Sequence, residues 1–171
     1  RDVRSIVEAI ATLDGAYGSV SEKTQTAIRR SVAKVFDIKP RHGTGVEGWE
    51  EREELAGAYQ PAVGLLFDKE GGGDVLVSAL KKKHFAEWHE VRMVLIEGLG
   101  YAKDPKHLKL FYGYLEDESP EVASAAATAL EQYKDIDDEK LRLQIVETLI
   151  EVYWDHQKQA EREAKKGKEV E

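Results

Sequence analysis

The chain has 171 residues, 42% of them hydrophobic and 34% charged, which suffices for one domain or one stack of repeats and excludes a disordered tail. Cysteine is absent, so disulfides, thiolate zinc sites and cysteine nucleophiles are excluded. The net charge is −8, and residues 86–171 hold 20 acidic against 12 basic side chains, so we expect no nucleic-acid partner.

The N-terminal region begins with Arg1 rather than Met. We therefore expect a processed product or an excised fragment of a soluble protein, either cytoplasmic or exported. Ser21–Asp37 has a helical pattern of apolar residues and is a partial copy of a segment further along the chain. Because prolines are few and Ala, Leu, Glu and Lys are abundant, helix is favoured along the whole chain.

The next stretch, at about residues 39–73, is predicted to be an irregular insertion. Three glycines and a proline within residues 39–48 indicate a loop. Trp49–Asp68 is then predicted to be a helix that Pro61 kinks or splits. The loop is either a binding feature or a tolerated surface insertion. The glycine clusters in this stretch fit no phosphate-binding pattern.

One compact cluster of side chains has the chemistry of metal ligands: His84, Glu87, His89 and Glu90. In a helix, side chains that are three residues apart, such as those of His84 and Glu87 or of Glu87 and Glu90, lie on one face. A catalytic metal, however, needs three protein ligands and an open position. Because the stretch spans an expected helix–helix turn, we interpret these residues as capping and surface groups. The sequence therefore predicts no metal and no cofactor.

An internal repeat is the strongest pattern in the sequence. Glu87–Asp104 and Glu118–Asp135 align with a constant offset of 31 residues and share six identical residues. In both copies residues of the core stripe recur at i, i+3, i+4, i+7, i+8 and i+11, which predicts one amphipathic helix per copy. Ser119 and Pro120 mark the start of the second helix. A shorter helix is predicted between the copies, within Pro105–Glu116, so the repeating unit is a helix pair.

The C-terminal region is predicted to contain an apolar helix, Leu141–Trp154, and a solvated helical extension over residues 155–171. Charged and polar residues interrupt the apolar helix, so it does not span a membrane. Apolar residues surround much of its circumference, so either the Trp49–Asp68 region covers it or it mediates self-association or contact with another domain. We therefore assign residues 1–154 to one helical repeat domain and residues 155–171 to a charged tail.

The three tryptophans, Trp49, Trp88 and Trp154, are expected to pack against the protein because a tryptophan buries a large area. Trp154 is expected to lie under the tail. An exposed tryptophan would instead indicate an interface anchor.

The segment DESPEVASAAATAL, Asp117–Leu130, resembles the second helix of a HEAT repeat, which often carries the pattern Asp–x–x–x–x–Val–Arg–x–Ala–Ala. The acid, the valine and both alanines match in this copy, whereas Ala123 stands where Arg is common. In the other copy Arg92 is present, but Ala86 replaces the leading acid. The resemblance is good over residues 74–135. It implies an all-α fold, an α–α superhelix (a HEAT/armadillo-like solenoid) of antiparallel helix pairs.

The resemblance also implies a non-catalytic protein–protein interaction scaffold. The second helix of each pair would line a concave face that binds a peptide or protein. Helical geometry then selects the positions opposite the core stripe. These positions are Arg92, Met93, Ile96, Glu97 and Gly100 in one copy and Ala123, Ser124, Ala127, Thr128 and Glu131 in the other. The candidate site residues among them are Arg92, Met93, Ile96, Glu97, Ser124, Thr128 and Glu131. The alternative is that they pack against adjacent repeats.

Two enzyme-related alternatives also come from family resemblance. A HEAT-like DNA-repair glycosylase would use a basic groove with aromatic and acidic side chains. Trp88, Trp154 and Asp155 have the required residue types, but the acidic net charge disfavours this alternative. The second alternative is a bilin-lyase-like repeat protein, for which no residue here is diagnostic.

Overall fold

The computed structural model describes residues 3–39 and 46–168, which form eight α-helices, three short 3-10 turns and no β-strand. The 3-10 turns are Lys34–Asp37, Lys83–Phe85 and Pro105–His107. The α-helices are α1 (Val3–Tyr17), α2 (Glu22–Ala33), α3 (Val46–Leu66), α4 (Gly72–Leu80), α5 (His89–Ala102), α6 (Leu108–Tyr114), α7 (Pro120–Glu131) and α8 (Glu139–Lys168). The predicted all-α class is therefore confirmed.

Alternate helices form a continuous row. Helix α1 packs against α3, α3 against α5, and α5 against α7, which is the most extensive helix pair. The intervening helices pack against this row: α2 and α4 contact α3, α4 contacts α5, and α6 contacts α7. Contacts between successive units of this kind are typical of a solenoid, as the repeat pattern predicts.

Two glycines on α5 allow the helices of the row to approach closely. A Cβ atom on Gly98 would lie 1.9 Å from Cγ1 of Val63 on α3. A Cβ atom on Gly100 would lie 2.7 Å from both Cα and Cβ of Ala129 on α7. Glycine at these two positions therefore sets the spacing of α5 from its neighbours on both sides.

Helix α3 occupies most of the stretch that was predicted to be irregular. It continues through Pro61 without being split and contacts both α1 and α5, so it is a regular member of the row. Its buried Tyr59 donates a hydrogen bond of 2.8 Å to the carbonyl oxygen of Ile38. Residues 40–45 of the predicted loop lie outside the described ranges.

Aromatic side chains join the turns to the row. The rings of Phe36, Tyr59, Phe85 and Trp88 form a chain in which neighbouring centroids lie 5.5–5.6 Å apart. These residues come from the Lys34–Asp37 turn, from α3 and from the segment before α5, and all four are buried. Aromatic pairs at such distances add to the stability that burial provides.

Helix α8 is continuous from Glu139 to Lys168. The helix therefore includes most of the predicted extension, as far as Lys168, and residue 154 marks no break in it. The first part of α8 packs on the rest of the protein through the buried Ile145 and the half-buried Leu141, Leu149 and Val152. None of the helices within residues 3–39 and 46–168 combines the length and the hydrophobicity that a membrane-spanning segment requires.

Candidate functional site

A shallow depression between α5 and α7 brings together four of the seven predicted site residues. Met93 and Glu97 come from α5, and Ser124 and Thr128 come from α7. Pro120, Glu121 and Ala125 complete its lining, and its volume is about 340 Å³. The four predicted residues occupy equivalent positions in the two copies of the repeat, because Met93 aligns with Ser124 and Glu97 with Thr128.

The start of α7 is held by local hydrogen bonds. Ser119 is its N-cap, and the Ser119 Oγ accepts a hydrogen bond of 3.4 Å from the backbone N–H of Val122. The same hydroxyl donates to Oε2 of Glu121 at 2.7 Å, and this bond holds the pKa of Glu121 below its ordinary value. Glu121 is therefore a carboxylate at neutral pH and adds negative charge to the edge of the depression.

Ile96 does not belong to the exposed surface, and that prediction is wrong. Its side chain is 0% exposed, and it lies on the side of α5 that packs against α7 one turn further along the helix. The position after one further turn, Gly100, is buried against Ala129. The alternative of packing against the adjacent repeat is therefore correct for this part of α5.

Arg92 also has a different role from the predicted one. Its Nη1 donates a hydrogen bond to Oδ2 of Asp117, and the two side chains are only 15% and 12% exposed. Oδ1 of Asp117 accepts a second hydrogen bond, of 3.0 Å, from the backbone N–H of Ser119. Arg92 is thus committed to an internal ion pair. The pair joins α5 to the turn that precedes α7.

This ion pair explains how the two copies depart from the family pattern. The first copy has the arginine but lacks the acid, and the second copy has the acid but lacks the arginine. Arg92 of one copy and Asp117 of the next together supply one complete pair. The two departures are therefore complementary, because the pair forms between repeats rather than within one.

Glu131, the last predicted site residue, lies at the C-terminal end of α7. It is exposed, and its carboxylate lies 3.6 Å from Nζ of Lys134. It does not line the depression. Pro120 and Glu121 line the depression but were missed as site residues. The sequence pattern indicates only that Pro120 starts the helix, although a proline in the first turn leaves its ring on the helix surface.

The residues of the candidate metal cluster do not converge. Nε2 of His84 lies 3.0 Å from the carbonyl oxygen of Phe36, so His84 connects its turn to the Lys34–Asp37 turn. Nε2 of His89 lies 3.4 Å from Oε1 of Glu90. No group of three potential ligands is found among residues 3–39 and 46–168. The interpretation of these residues as capping and surface groups is only partly correct: Glu87 is exposed, but Glu90 is only 19% exposed and no side chain caps the start of α5.

The tryptophans differ from one another in exposure. Trp88 is buried against Phe85, as expected. Trp49 and Trp154 are 48% and 56% exposed, so the prediction that they pack against the protein is wrong for both. Trp154 does not lie under the tail, because α8 carries the tail straight on as helix.

A second depression lies between α7 and α8, at the end of the row. Its volume is about 420 Å³. The segment before α7 and α7 itself form one wall of this depression, and α8 forms the other. The lining residues are Leu115, Asp117, Pro120, Ala123, Ser124, Ala127, Leu149, Val152, Tyr153 and His156. The apolar circumference of α8 is the sequence signal for this surface.

Comparison with known proteins agrees with the repeat geometry. Residues 73–164, more than half of the chain, match the family of HEAT repeats. The matched segment begins in α4 and ends within α8, so it includes both copies of the 31-residue unit. No curated protein and no solved structure matches the chain. The chain belongs to the HEAT-repeat family.

Proposed function

We propose that this HEAT-repeat chain is a non-catalytic protein-interaction scaffold that binds a peptide or protein segment in the depression between α5 and α7. HEAT repeats are commonly protein-interaction scaffolds. The observation that carries the proposal is the convergence of Met93, Glu97, Ser124 and Thr128, from equivalent positions of two repeats, on one open surface.

The chemistry of this surface suits a peptide. Met93 offers a flexible apolar contact that adapts to different side chains. Ser124 and Thr128 are exposed hydroxyl groups that can donate or accept hydrogen bonds. A segment that lies across the two helices would contact both repeats at once, which is how solenoids build extended binding surfaces.

The charge of the depression favours a basic segment over a nucleic acid. Both ionisable side chains that line it, Glu97 and Glu121, are acidic. They would attract Lys or Arg and repel phosphate groups. This charge also argues against the alternative of a DNA-repair glycosylase, which needs a basic groove.

The test is a selection of peptides from a random library displayed on phage, followed by measurement of affinity by fluorescence anisotropy. Thr128→Arg places a long cation in the depression. We expect this substitution to weaken binding of the selected peptides at least tenfold, which corresponds to about 1.4 kcal/mol of binding free energy. Thr12→Arg is the matched control, because Thr12 is an exposed threonine on α1, at the far end of the same row.

The proposal predicts that Thr12→Arg changes affinity less than twofold. Two results would overturn it. One is a selection that enriches no peptide, and the other is a set of peptides that bind the wild type and Thr128→Arg equally well. Circular dichroism of all three proteins serves as the folding control.

A further inference from the structure

The two repeats differ in what covers them, and that difference defines a second surface. On α5 the side that faces the next repeat is closed, because α7 buries Ile96 and Gly100. The positions on α7 that lie 31 residues further on are Ala127 and Glu131, which are half-buried and exposed. The side of α7 that corresponds to the α7-facing side of α5 is therefore uncovered.

Helix α8 forms the second wall of this open place. Leu149, Val152 and Tyr153 line the depression together with Ala123 and Ala127 of α7. The small side chains on α7 allow the backbone of another helix to approach closely. A helix lying here would contact α7 and α8 in the way that α7 contacts α5 and α6.

The apolar surface continues along α8 beyond the depression. Leu143, Val146, Ile150 and Tyr153 are each more than 50% exposed and are spaced by three, four and three residues. This spacing places them along one side of the helix, next to the side that packs on the protein. The stripe extends over ten residues, or about 15 Å of helix. Exposed apolar stripes of this kind mark interaction sites.

The charge around this surface selects the partner. Residues 115–156 contain twelve acidic and three basic side chains, a net charge of −9. The exposed Glu116 and Glu118 lie before α7, at one end of the depression. Four further exposed acidic residues follow α7, up to the first residue of α8: Asp135, Asp137, Asp138 and Glu139. An apolar floor within such an acidic surface is complementary to an amphipathic helix with basic flanks.

A second copy of this chain fits the surface less well. It would bring the same charge of −9 to the interface, and like charges disfavour such a contact. The basic part of the chain, residues 157–168, has only Ala160 and Ala164 as apolar residues and could not fill the depression.

We infer that the groove formed by α7 and α8 is a docking site for a basic amphipathic helix of a partner protein. This groove lies on the other side of α7 from Met93, Glu97 and Thr128, although Pro120 and Ser124 border both depressions. The inference does not depend on the proposed peptide site, and either one can fail alone.

The test uses a synthetic helical peptide of about 14 residues, or roughly 21 Å of helix. Leucines stand at positions i, i+3, i+7 and i+10, and lysines flank them. One control peptide has the same composition in an order that spreads the leucines around the helix, and another has glutamate in place of lysine. Affinities for the full chain are measured by fluorescence anisotropy at low and at physiological ionic strength.

Two neighbouring substitutions on α7 separate the two sites. Ala127→Arg places a cation in the groove, whereas Thr128→Arg places the same cation in the depression beside α5. We expect Ala127→Arg to weaken binding of the amphipathic peptide at least tenfold and Thr128→Arg to change the affinity for this peptide less than twofold. Ile150→Lys, on the exposed stripe of α8, is expected to weaken it at least fivefold without altering the fold.

Four results would overturn the inference. The first is no binding of the amphipathic peptide, and the second is equal binding of the rearranged or the glutamate peptide. The third is a greater loss with Thr128→Arg than with Ala127→Arg, which would assign the peptide to the depression beside α5. The fourth is a wild-type dimer in sedimentation that Ile150→Lys dissociates, which would make a second copy the occupant.

Discussion

The close approach of α5 and α7 leads to a stability prediction that depends on one atom. In Gly100→Ala the new Cβ would lie 2.7 Å from Cα and 2.7 Å from Cβ of Ala129. Favourable carbon–carbon contacts occur at about 3.5–4.0 Å, so the two helices must separate by roughly 1 Å. Rotation of a side chain cannot relieve the overlap, because an alanine has no rotamers to change.

The magnitude follows from two opposing effects. Overpacking of a tightly packed core costs about 1–3 kcal/mol. Replacing glycine by alanine inside a helix contributes about 0.8–1 kcal/mol in the other direction. The overlap involves the backbone Cα of Ala129, which cannot move aside alone, so the overpacking cost is expected in the upper part of that range, about 2–3 kcal/mol. The expected result for Gly100→Ala is then a net loss of about 1–2 kcal/mol in the free energy of unfolding. Gly113 on α6 is the matched control. Nothing lies within 4 Å of its added Cβ, so Gly113→Ala should stabilise by about 0.5–1 kcal/mol.

The assay is thermal and urea unfolding, followed by circular dichroism and by tryptophan fluorescence. Coincident transitions with the two probes are needed for a single free energy of unfolding. At about 2–4 °C per kcal/mol for a chain of this size, the midpoints of the two variants should differ by roughly 3–12 °C. Equal midpoints for Gly100→Ala and Gly113→Ala would refute the argument that glycine sets the spacing between α5 and α7.

Two further predictions concern buried ionisable groups. Because Arg92 and Asp117 form a largely buried pair, Arg92→Leu and Asp117→Asn should each lower the free energy of unfolding by about 2–3 kcal/mol. A double-mutant cycle should give a coupling energy above roughly 1 kcal/mol, and additive losses would contradict the pair. Burial holds the pKa values of His84 and His107 below the ordinary 6.5, so the unfolded chain binds protons first and stability falls as pH drops below about 6.5. Each histidine contributes a slope of at most about 1.4 kcal/mol per pH unit. His107→Leu should therefore reduce the change in the free energy of unfolding between pH 7 and pH 5, measured by urea unfolding. His156→Gln, at an exposed position, should leave that change as it is.

Several features of the fold could be predicted from the sequence because their causes are local. The apolar stripes of α5 and α7 repeat at helical spacing, and Ser119 and Pro120 start α7 through contacts within one turn. The offset of 31 residues then indicates stacked helix pairs, because a lone pair cannot bury its apolar side. The candidate site was predicted only partly. Helical geometry places Met93, Glu97, Ser124 and Thr128 on one side of their helices, and these four residues line one depression. Their role in binding stays a prediction.

Other features depend on residues far apart in the sequence. The burial of Ile96 follows from the position of α7, about thirty residues later, and no pattern within α5 distinguishes a covered side from an open one. The role of Arg92 likewise requires Asp117 to lie beside it, which only the stacking of the repeats decides. Trp154 has the composition of a buried residue, but it is exposed because nothing in the described chain packs on that side of α8.

The sequence by itself therefore determined the helices, their caps and the fact that they repeat, since periodicity and capping act within a few residues. The tertiary structure decided which side of each helix meets a neighbour and which side is left open. The physical reason is that the same apolar stripe stabilises the chain when another helix covers it and remains exposed to solvent when none does. In this protein that difference separates Ile96, buried under α7, from Ala127 at the open end of the row.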